Sequence, residues 1–461
     1  MADEPRITLS ACLATIERQL PGRVSTAAAV RGHHANALTV LAPQLPDAVA
    51  WPETTAEVSM IVTAAALNRV PVIAFGAGTS LEGHVNAPLG GIAVDFSRMN
   101  KVLAVRPDDL DCSVEAGVTL QRLNAELRDT GLFFPVDPGA ELATLGGMAA
   151  TRASGTTTVR YGSMRDNVVN LTAVLASGEV VRTSRRARKS AAGYDLTRLL
   201  VGSEGTLGLI TELTLRLYGR PEQVHAAVAA FDTVGAACQT ATAAIQSGLG
   251  LARIELLDAV QMHCINARSG LGLDEVPTLF LEFHGSPAGC LHDWETFKAL
   301  AAEHGARGLQ SATDDAGRRQ LWRARHDAFW AVQSMWPGKQ VLVTDVAVPL
   351  SRLAETVVAT SQDIAAHGIT APIVGHVGDG NFHAIVVLDP ADPADVARIE
   401  AFLDRLVARA LAVDGTATGE HGIGQGKARF MAAEHGSGVS VMRAIKHALD
   451  PYNILNPCKI F

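Results

Sequence analysis

Three glycine-rich segments, each beside a β-rich run, fall in the first half of the chain and constrain its fold more than any other feature. The first, Phe75-Gly76-Ala77-Gly78-Thr79-Ser80-Leu81-Glu82-Gly83, follows directly on the strand-like run VPVIA. Glycine lets a backbone turn with positive φ and approach a ligand without a Cβ in the way. Successive N–H groups can then converge on a diphosphate as an anion nest. The spacing G-x-G-x-x-x-x-G departs from the dinucleotide fingerprint G-x-G-x-x-G, and Gly426-Lys427-Ala428 is not the end of a Walker A motif. The second segment runs from Pro135 to Val168 and the third from Val201 to Leu217. One such loop is as readily an ordinary turn; three beside strands argue for a ligand.

Periodicity supplies the framework around these loops. VPVIAF, GIAVDF, KVLAV and CSVEAGV read as strands, and TAEVSMIVTAAALNR and TLQRLNAELRDTG read as amphipathic helices. The second helix carries apolar Leu120, Leu123 and Leu127 and is expected to stop at Gly131. Past about Arg220 the glycine density falls, and Pro221 sits in an expected linker. LFLEFHG, VLVTDVAVP, PIVGHVGDG and FHAIVVLD then read as strands, followed by the long helix ADVARIEAFLDRLVARALAVDG. The expected class is α+β. An N-terminal helical segment (1–45) precedes a cofactor domain (46–220) and an α+β substrate, or cap, domain with an antiparallel sheet (221–415). A C-terminal segment with helices (416–461) is expected to return to the cofactor site.

Composition narrows the function. The 461 residues are 48% hydrophobic and 19% charged, an ordinary balance for a globular enzyme. No stretch approaches the roughly 18 unbroken apolar residues of a membrane span. The acidic start MADEPRITL resembles neither a secretory signal nor a transit peptide, so a cytoplasmic protein is expected, with at most a peripheral membrane association. Net charge is −8, and the run Arg185, Arg186, Arg188, Lys189 is short and lacks interleaved aromatics, which argues against a nucleic-acid partner. The six cysteines are scattered without a C-x-x-C pair, which points to a reducing compartment and away from Cys-ligated zinc.

The sharpest chemistry lies near the C-terminus. In Gly375-His376-Val377-Gly378-Asp379-Gly380-Asn381-Phe382-His383, Asp379-Gly380 is a strong hairpin turn signal. With those two residues as the loop, pairing proceeds outwards until His376 opposes His383, which sets two imidazoles on one face. Thr418-Gly419-Glu420-His421-Gly422-Ile423-Gly424 adds a carboxylate in an irregular backbone. His376, His383 and Glu420 make a facial set for a divalent ion such as zinc or manganese. His435 and His447 sit on plain helical stretches and read as surface residues.

The three glycine-rich segments resemble the flavin-binding domain of the vanillyl-alcohol-oxidase superfamily, also described as a PCMH-type FAD-binding domain. That resemblance implies FAD contacts at Gly76, Gly78, Thr79, Ser80, Gly83, Pro138, Gly146, Gly147, Ser154, Gly155, Glu204 and Gly205. Some members link FAD to a histidine near the first loop, where His84 stands, but the subgroup this chain resembles binds FAD without a covalent link. GHVGDGNFH, TGEHGIGQGK and the tail NPCKIF are similar to the C-terminal domain of FAD-linked D-2-hydroxyacid dehydrogenases. These include the cytochrome-type D-lactate enzymes and their 2-hydroxyglutarate and glycolate relatives. The likeness runs from about Gln44 to the C-terminus and includes LWRARHDAFW and TDVAVPLSRL; the tail departs at Cys458, where glycine is common.

The resemblance implies oxidation of a small 2-hydroxy acid, with electrons passed to cytochrome c, a quinone or another acceptor. It makes His421 the base, which suits an imidazole that titrates near neutrality. Arg325 is the candidate carboxylate clamp, since a guanidinium pairs bidentately with a carboxylate, and Asn381 the candidate substrate-orienting amide. The 2-hydroxyglutarate branch is expected to carry a lysine near Val343, where this chain is apolar, so D-lactate is the favoured substrate. A homodimer is compatible with this reading. Two other classes remain open: a redox-neutral transferase of the alkyl-glycerone-phosphate synthase type, and a non-catalytic flavin subunit of a larger oxidase.

Overall fold

The computed structural model describes residues 8–35, 38–312 and 314–461. Residues 1–7, 36 and 37 of the expected N-terminal helical segment lie outside the described residues. The chain divides into two units, one drawn from residues 1–154, 162–220 and 420–461, the other from 155–161 and 221–419.

The first unit is built on two main sheets, with a two-stranded ladder between Leu132–Phe133 and Tyr218–Gly219. In one, Ala48–Ala50, Ile92–Asp95 and Val72–Phe75 run parallel, with the short strand Val24–Ser25 antiparallel at the edge. The other is antiparallel, in the order Val102–Arg106, Asp111–Glu115, Leu209–Arg216, Val168–Val174, Val180–Arg182. The helix Thr55–Asn68 is capped by Thr54, whose hydroxyl accepts from the Glu57 N–H. It buries Val58, Ile61, Val62 and Ala65 at helical spacing, in one apolar core with residues of both sheets. The second expected helix is shorter than its periodicity suggests. It covers Leu120–Glu126, and a 3₁₀ turn, Arg128–Thr130, then leads to Gly131 at φ +73°. The Thr130 hydroxyl donates to the Leu127 carbonyl, a local bond that competes with the helical pattern.

The second unit is an antiparallel sheet. Its strands run in the order Arg307–Ala312, Gln223–Ala230, Thr278–Gly285, Leu251–Leu257, Ile373–Gly375, Asn381–Leu388 and Gln340–Val343, and Val346–Ala347 also pairs with Asn381–Leu388. One face is covered by the helices Ala259–Ser269, Asp315–His326 and Ala328–Met335, whose Met262, Trp322, Ala328 and Val332 pack against Leu257, Phe280, Val374 and Ile385. The long helix Pro393–Leu411 starts where expected. Asp392 caps it, Pro393 occupies its first turn, and Ile399, Phe402, Leu406 and Ala410 form the buried stripe. Among the described residues no helix is long and apolar enough to cross a membrane.

Candidate active site

The hairpin around Asp379-Gly380 differs in register from the sequence expectation. Val374 pairs with His383 and Ile373 with Ala384, so residues 377–380 form a wider turn and His376 does not directly oppose His383. Gly380 explains the turn's seat: its φ is +80°, and a Cβ there would run into the Val348 carbonyl. The slip is two residues in the pairing sum, so the side-chain parity survives. His376 lies diagonal to His383 on the same face, with ring centroids 5.3 Å apart and planes at 82°.

Both imidazoles are fixed through Nδ1. His383 Nδ1 lies 2.8 Å from the Thr344 carbonyl oxygen. His376 Nδ1 lies 2.7 and 2.9 Å from the two oxygens of Glu255, a residue that the sequence reading missed. Glu255 belongs to the strand Leu251–Leu257, which pairs Leu256 with Gly375 and Leu257 with Val374. Continuing that register puts Glu255 opposite His376. The same carboxylate takes Nε and Nη2 of Arg325 at 2.9 and 2.6 Å. Burial works against the charge of Glu255, but His376 and Arg325 outweigh it and hold the carboxyl below its ordinary range.

This pairing bears on the expected clamp at Arg325. One edge of its guanidinium is committed to Glu255, so a bidentate grip on a substrate carboxylate cannot use that edge. Asn381 is fixed as well: its Nδ2 donates to Asp345 Oδ1 at 2.7 Å and to the Val346 carbonyl at 2.8 Å. Its buried Oδ1 has no hydrogen-bond partner among the described residues. Asp345 also accepts from the Thr418 hydroxyl at 2.7 Å. Gly419 packs so closely on the Asn381 amide that a Cβ would collide with it. On the same sheet face Arg253 opposes Glu282, whose Oε1 meets His284 Nε2 at 2.7 Å; His284 Nδ1 lies 2.7 Å from the Tyr161 hydroxyl. These charges inside an apolar sheet went unread because LARIELL lacks a clean alternation.

In the first unit, the glycine-rich segments converge on one cavity. Gly76, Gly78, Thr79, Ser80, Pro138, Gly146, Gly147, Ser154, Glu204 and Gly205 all line it, together with His84, Glu420 and His421. Gly83 and Gly155 do not. Gly83 packs against Leu41 and Gln425 instead, and Gly155 falls in the other unit. His84 Nδ1 is buried in this wall without a hydrogen-bond partner among the described residues, a donor or acceptor that suits a polar ligand. The apolar and glycine backbone lining fits a flat, polar-edged cofactor. Two residues read as cofactor contacts also serve the protein. The Ser154 hydroxyl donates to Glu420 at 3.1 Å. Glu204 receives the Ile423 and Gly424 N–H groups at 2.7 and 2.8 Å.

A family model described as "FAD linked oxidases, C-terminal domain" matches residues 220–460, and an "FAD binding domain" model matches residues 46–184. The chain belongs to the FAD-linked oxidase family. It is a flavoprotein oxidoreductase with FAD as its cofactor. The chain is 47% identical over 441 residues to the probable mitochondrial D-lactate dehydrogenase of Danio rerio, covering 95% of this chain and 88% of that protein. It is 44% identical to the mitochondrial D-lactate dehydrogenase [cytochrome] of Arabidopsis thaliana over 91% of this chain and 74% of that one. A glycolate oxidase subunit of Bacillus subtilis is 34% identical, over 90% of this chain and 89% of that one. The fold is shared with p-cresol methylhydroxylase (TM-score 0.82, 16% identity, 98% of this chain and 97% of that one). It is shared also with an alkyldihydroxyacetonephosphate synthase (TM-score 0.78, 20% identity, 99% and 87%).

Proposed function

We propose that this flavoprotein oxidises a D-2-hydroxy acid, D-lactate first among them, to the 2-oxo acid. We propose further that His376, His383 and Glu420 hold a divalent cation, zinc or manganese. The observation that carries the reading is the buried pair His376 and His383, each held at Nδ1 by an oxygen of the protein. That is the support metal-binding imidazoles ordinarily have, with Nε2 as the ligating nitrogen. Glu420 follows directly on Gly419, which is anchored on Asn381. The named D-lactate relatives, 47% and 44% identical, support the choice of substrate.

The first unit would then bind FAD and the second the substrate. FAD, when bound, supplies the two-electron acceptor for the C2 hydrogen. A divalent cation would supply charge to polarise the substrate hydroxyl. His421 takes the hydroxyl proton on an imidazole nitrogen. Arg325 presents its remaining guanidinium edge to the carboxylate, while Glu255 keeps that arginine in one orientation. Asn381 offers Oδ1 to the substrate hydroxyl. Val343 pairs with Ile385, two residues along the strand from His383, so the region next to the histidines is apolar and suits a methyl group better than a second carboxylate. Cytochrome c or a quinone-linked carrier would take the electrons onward.

The test is a substrate panel with a dye acceptor, run before and after chelation. D-Lactate should turn over at least tenfold faster than D-2-hydroxyglutarate and L-lactate, and chelation should abolish turnover. A preference for D-2-hydroxyglutarate or glycolate would overturn the substrate assignment, and full activity after chelation would overturn the cation.

A further inference from the structure

The segment carrying Glu420 and His421 has little regular structure of its own. Gly422 and Gly424 take φ +81° and +48°, which glycine adopts at little cost and which leave the segment free to bend. What fixes it is a carboxylate from the third glycine-rich segment. Glu204 Oε1 accepts from the Ile423 N–H at 2.7 Å, and Oε2 accepts from the Gly424 N–H at 2.8 Å. His84 Nε2 stands 3.2 Å from Oε2. The contact is close-fitting: a Cβ on Gly422 would come within 2.7 Å of both Glu204 Oε1 and His84 Nε2. Glu204 is itself held at both ends of its peptide unit. Its N–H donates to the Ala150 carbonyl at 2.8 Å, and its carbonyl accepts from Asn456 Nδ2 at 2.7 Å, in a left-handed conformation with φ +54°. Asn456 Nδ2 also reaches the His84 carbonyl, at 3.2 Å.

We propose that Glu204 is a positioning residue: its carboxylate, beside the His84 ring, pins the backbone at Ile423 and Gly424 and so fixes where Glu420 and His421 face the flavin cavity. The assignment rests on the reading of His421 as the base, and it differs from the expectation that Glu204 is a flavin contact. Both carboxylate oxygens are spent on backbone N–H groups two and three residues beyond His421. A charge-assisted pair of such bonds is short and directional, so it sets the position of the chain rather than merely closing a gap. On the N-terminal side of His421 the Ser154 hydroxyl donates to Glu420 at 3.1 Å, and further attachments lie on its C-terminal side. The Glu82 carbonyl accepts from the Gln425 and Gly426 N–H groups at 2.8 and 3.2 Å, and the Ile460 N–H donates to the Gly424 carbonyl at 3.0 Å.

The experiment compares parent holoenzyme with Glu204→Gln and Glu204→Ala. Gln keeps one acceptor oxygen and turns an N–H₂ toward the other donor, so it should show a partial effect if Ala is too disruptive to fold. Amide hydrogen exchange is read at residues 420–427 and, as a control, across Leu209–Arg216. FAD content, limiting flavin reduction and the substrate KM are measured on the same samples. Exchange at Ile423 and Gly424 should rise at least tenfold, with the control strand unchanged and FAD retained. The limiting rate should fall roughly 10–100-fold while KM changes less than threefold. Unchanged exchange overturns the latch; faster exchange with an unchanged rate overturns its role in positioning. Loss of FAD would return Glu204 to the cofactor contacts. If D-lactate fails to reduce even the parent enzyme, the substrate reading falls, while the exchange comparison still decides the latch.

Discussion

Glu255 and His376 face each other across neighbouring strands, and the carboxylate of the first holds the imidazole of the second while also holding Arg325. One fully buried anion therefore balances the orientation of a candidate cation ligand and a candidate substrate clamp. Glu255→Ala should leave the Arg325 guanidinium buried without its counter-charge. Breaking a buried pair in this way costs about 3–5 kcal/mol. The urea midpoint should fall accordingly, and cation content should fall with it. A Glu255→Ala protein with the parent's midpoint and metal content would show that the network does not organise the site.

His376→Ala and His383→Ala should each remove the cation and nearly all turnover while leaving the visible flavin spectrum intact. Each imidazole is held by a protein oxygen at Nδ1, so losing one ring does not free the other to compensate. Elemental analysis and absorbance on the same preparation check both halves. Full activity in the double variant would exclude a catalytic cation at these residues.

Much of this was legible where one strand or one helix determines the result. The four strands flanking the first glycine-rich loops follow from their β-rich runs, and the Pro393–Leu411 helix follows from its cap and apolar stripe. The two histidines were placed on one face from the parity of a hairpin, and they share that face although the register is wrong. Parity is robust because a strand alternates with period two, whereas the size of the turn depends on Val348, which sequence pattern does not place beside Gly380. Glu255 was missed for a similar reason. Its strand carries Arg253 and Glu255 inward, and a charged pair reads as a surface until the partners Glu282 and His376 are known. The family resemblance makes Glu204 a cofactor contact, and it does line the cavity; its bonds to residues 423 and 424 escaped the sequence because they span more than 200 positions.

Bound FAD should be noncovalent. His84 is turned toward Glu204, with Nε2 3.2 Å from its carboxylate. Purified protein should be yellow, and acid precipitation should release the flavin to the supernatant. Flavin that stays with the pellet and with the His84-containing peptide would reverse this expectation.

Asp258 should make stability depend on pH in the unusual direction for a carboxylate. It caps the Ala259–Ser269 helix and accepts from the Gln261 and Ile373 N–H groups, yet burial pushes its carboxyl up to about 6. The folded state therefore holds the proton more tightly than the unfolded chain. This contribution is fully present below the unfolded value and is lost as pH rises through about 6. Relative to Asp258→Asn, which keeps a capping oxygen, the parent should lose roughly 1 kcal/mol between about pH 5 and 7. Urea titrations at several pH values give the difference directly. A parent that gains on the variant as pH rises would show that the two N–H groups, rather than burial, dominate this site.

His421 separates proton removal from cation binding. A positioned general base typically contributes about 10²–10⁴-fold to rate. His421→Ala should slow flavin reduction by D-lactate by about that factor, with FAD and cation both retained. The cation should stay because Glu420 keeps its own support, the Ser154 hydroxyl at 3.1 Å, and the segment keeps its attachment to Glu204. Raising the pH should recover part of the rate, since hydroxide in the medium can take the proton the imidazole no longer accepts. Anaerobic stopped-flow bleaching of the flavin, with metal content measured on the same sample, reads both quantities. A variant reduced as fast as the parent would make His421 structural. One that loses its cation would make it a ligand, and the division between a histidine that moves the proton and two that hold the cation would have to be redrawn.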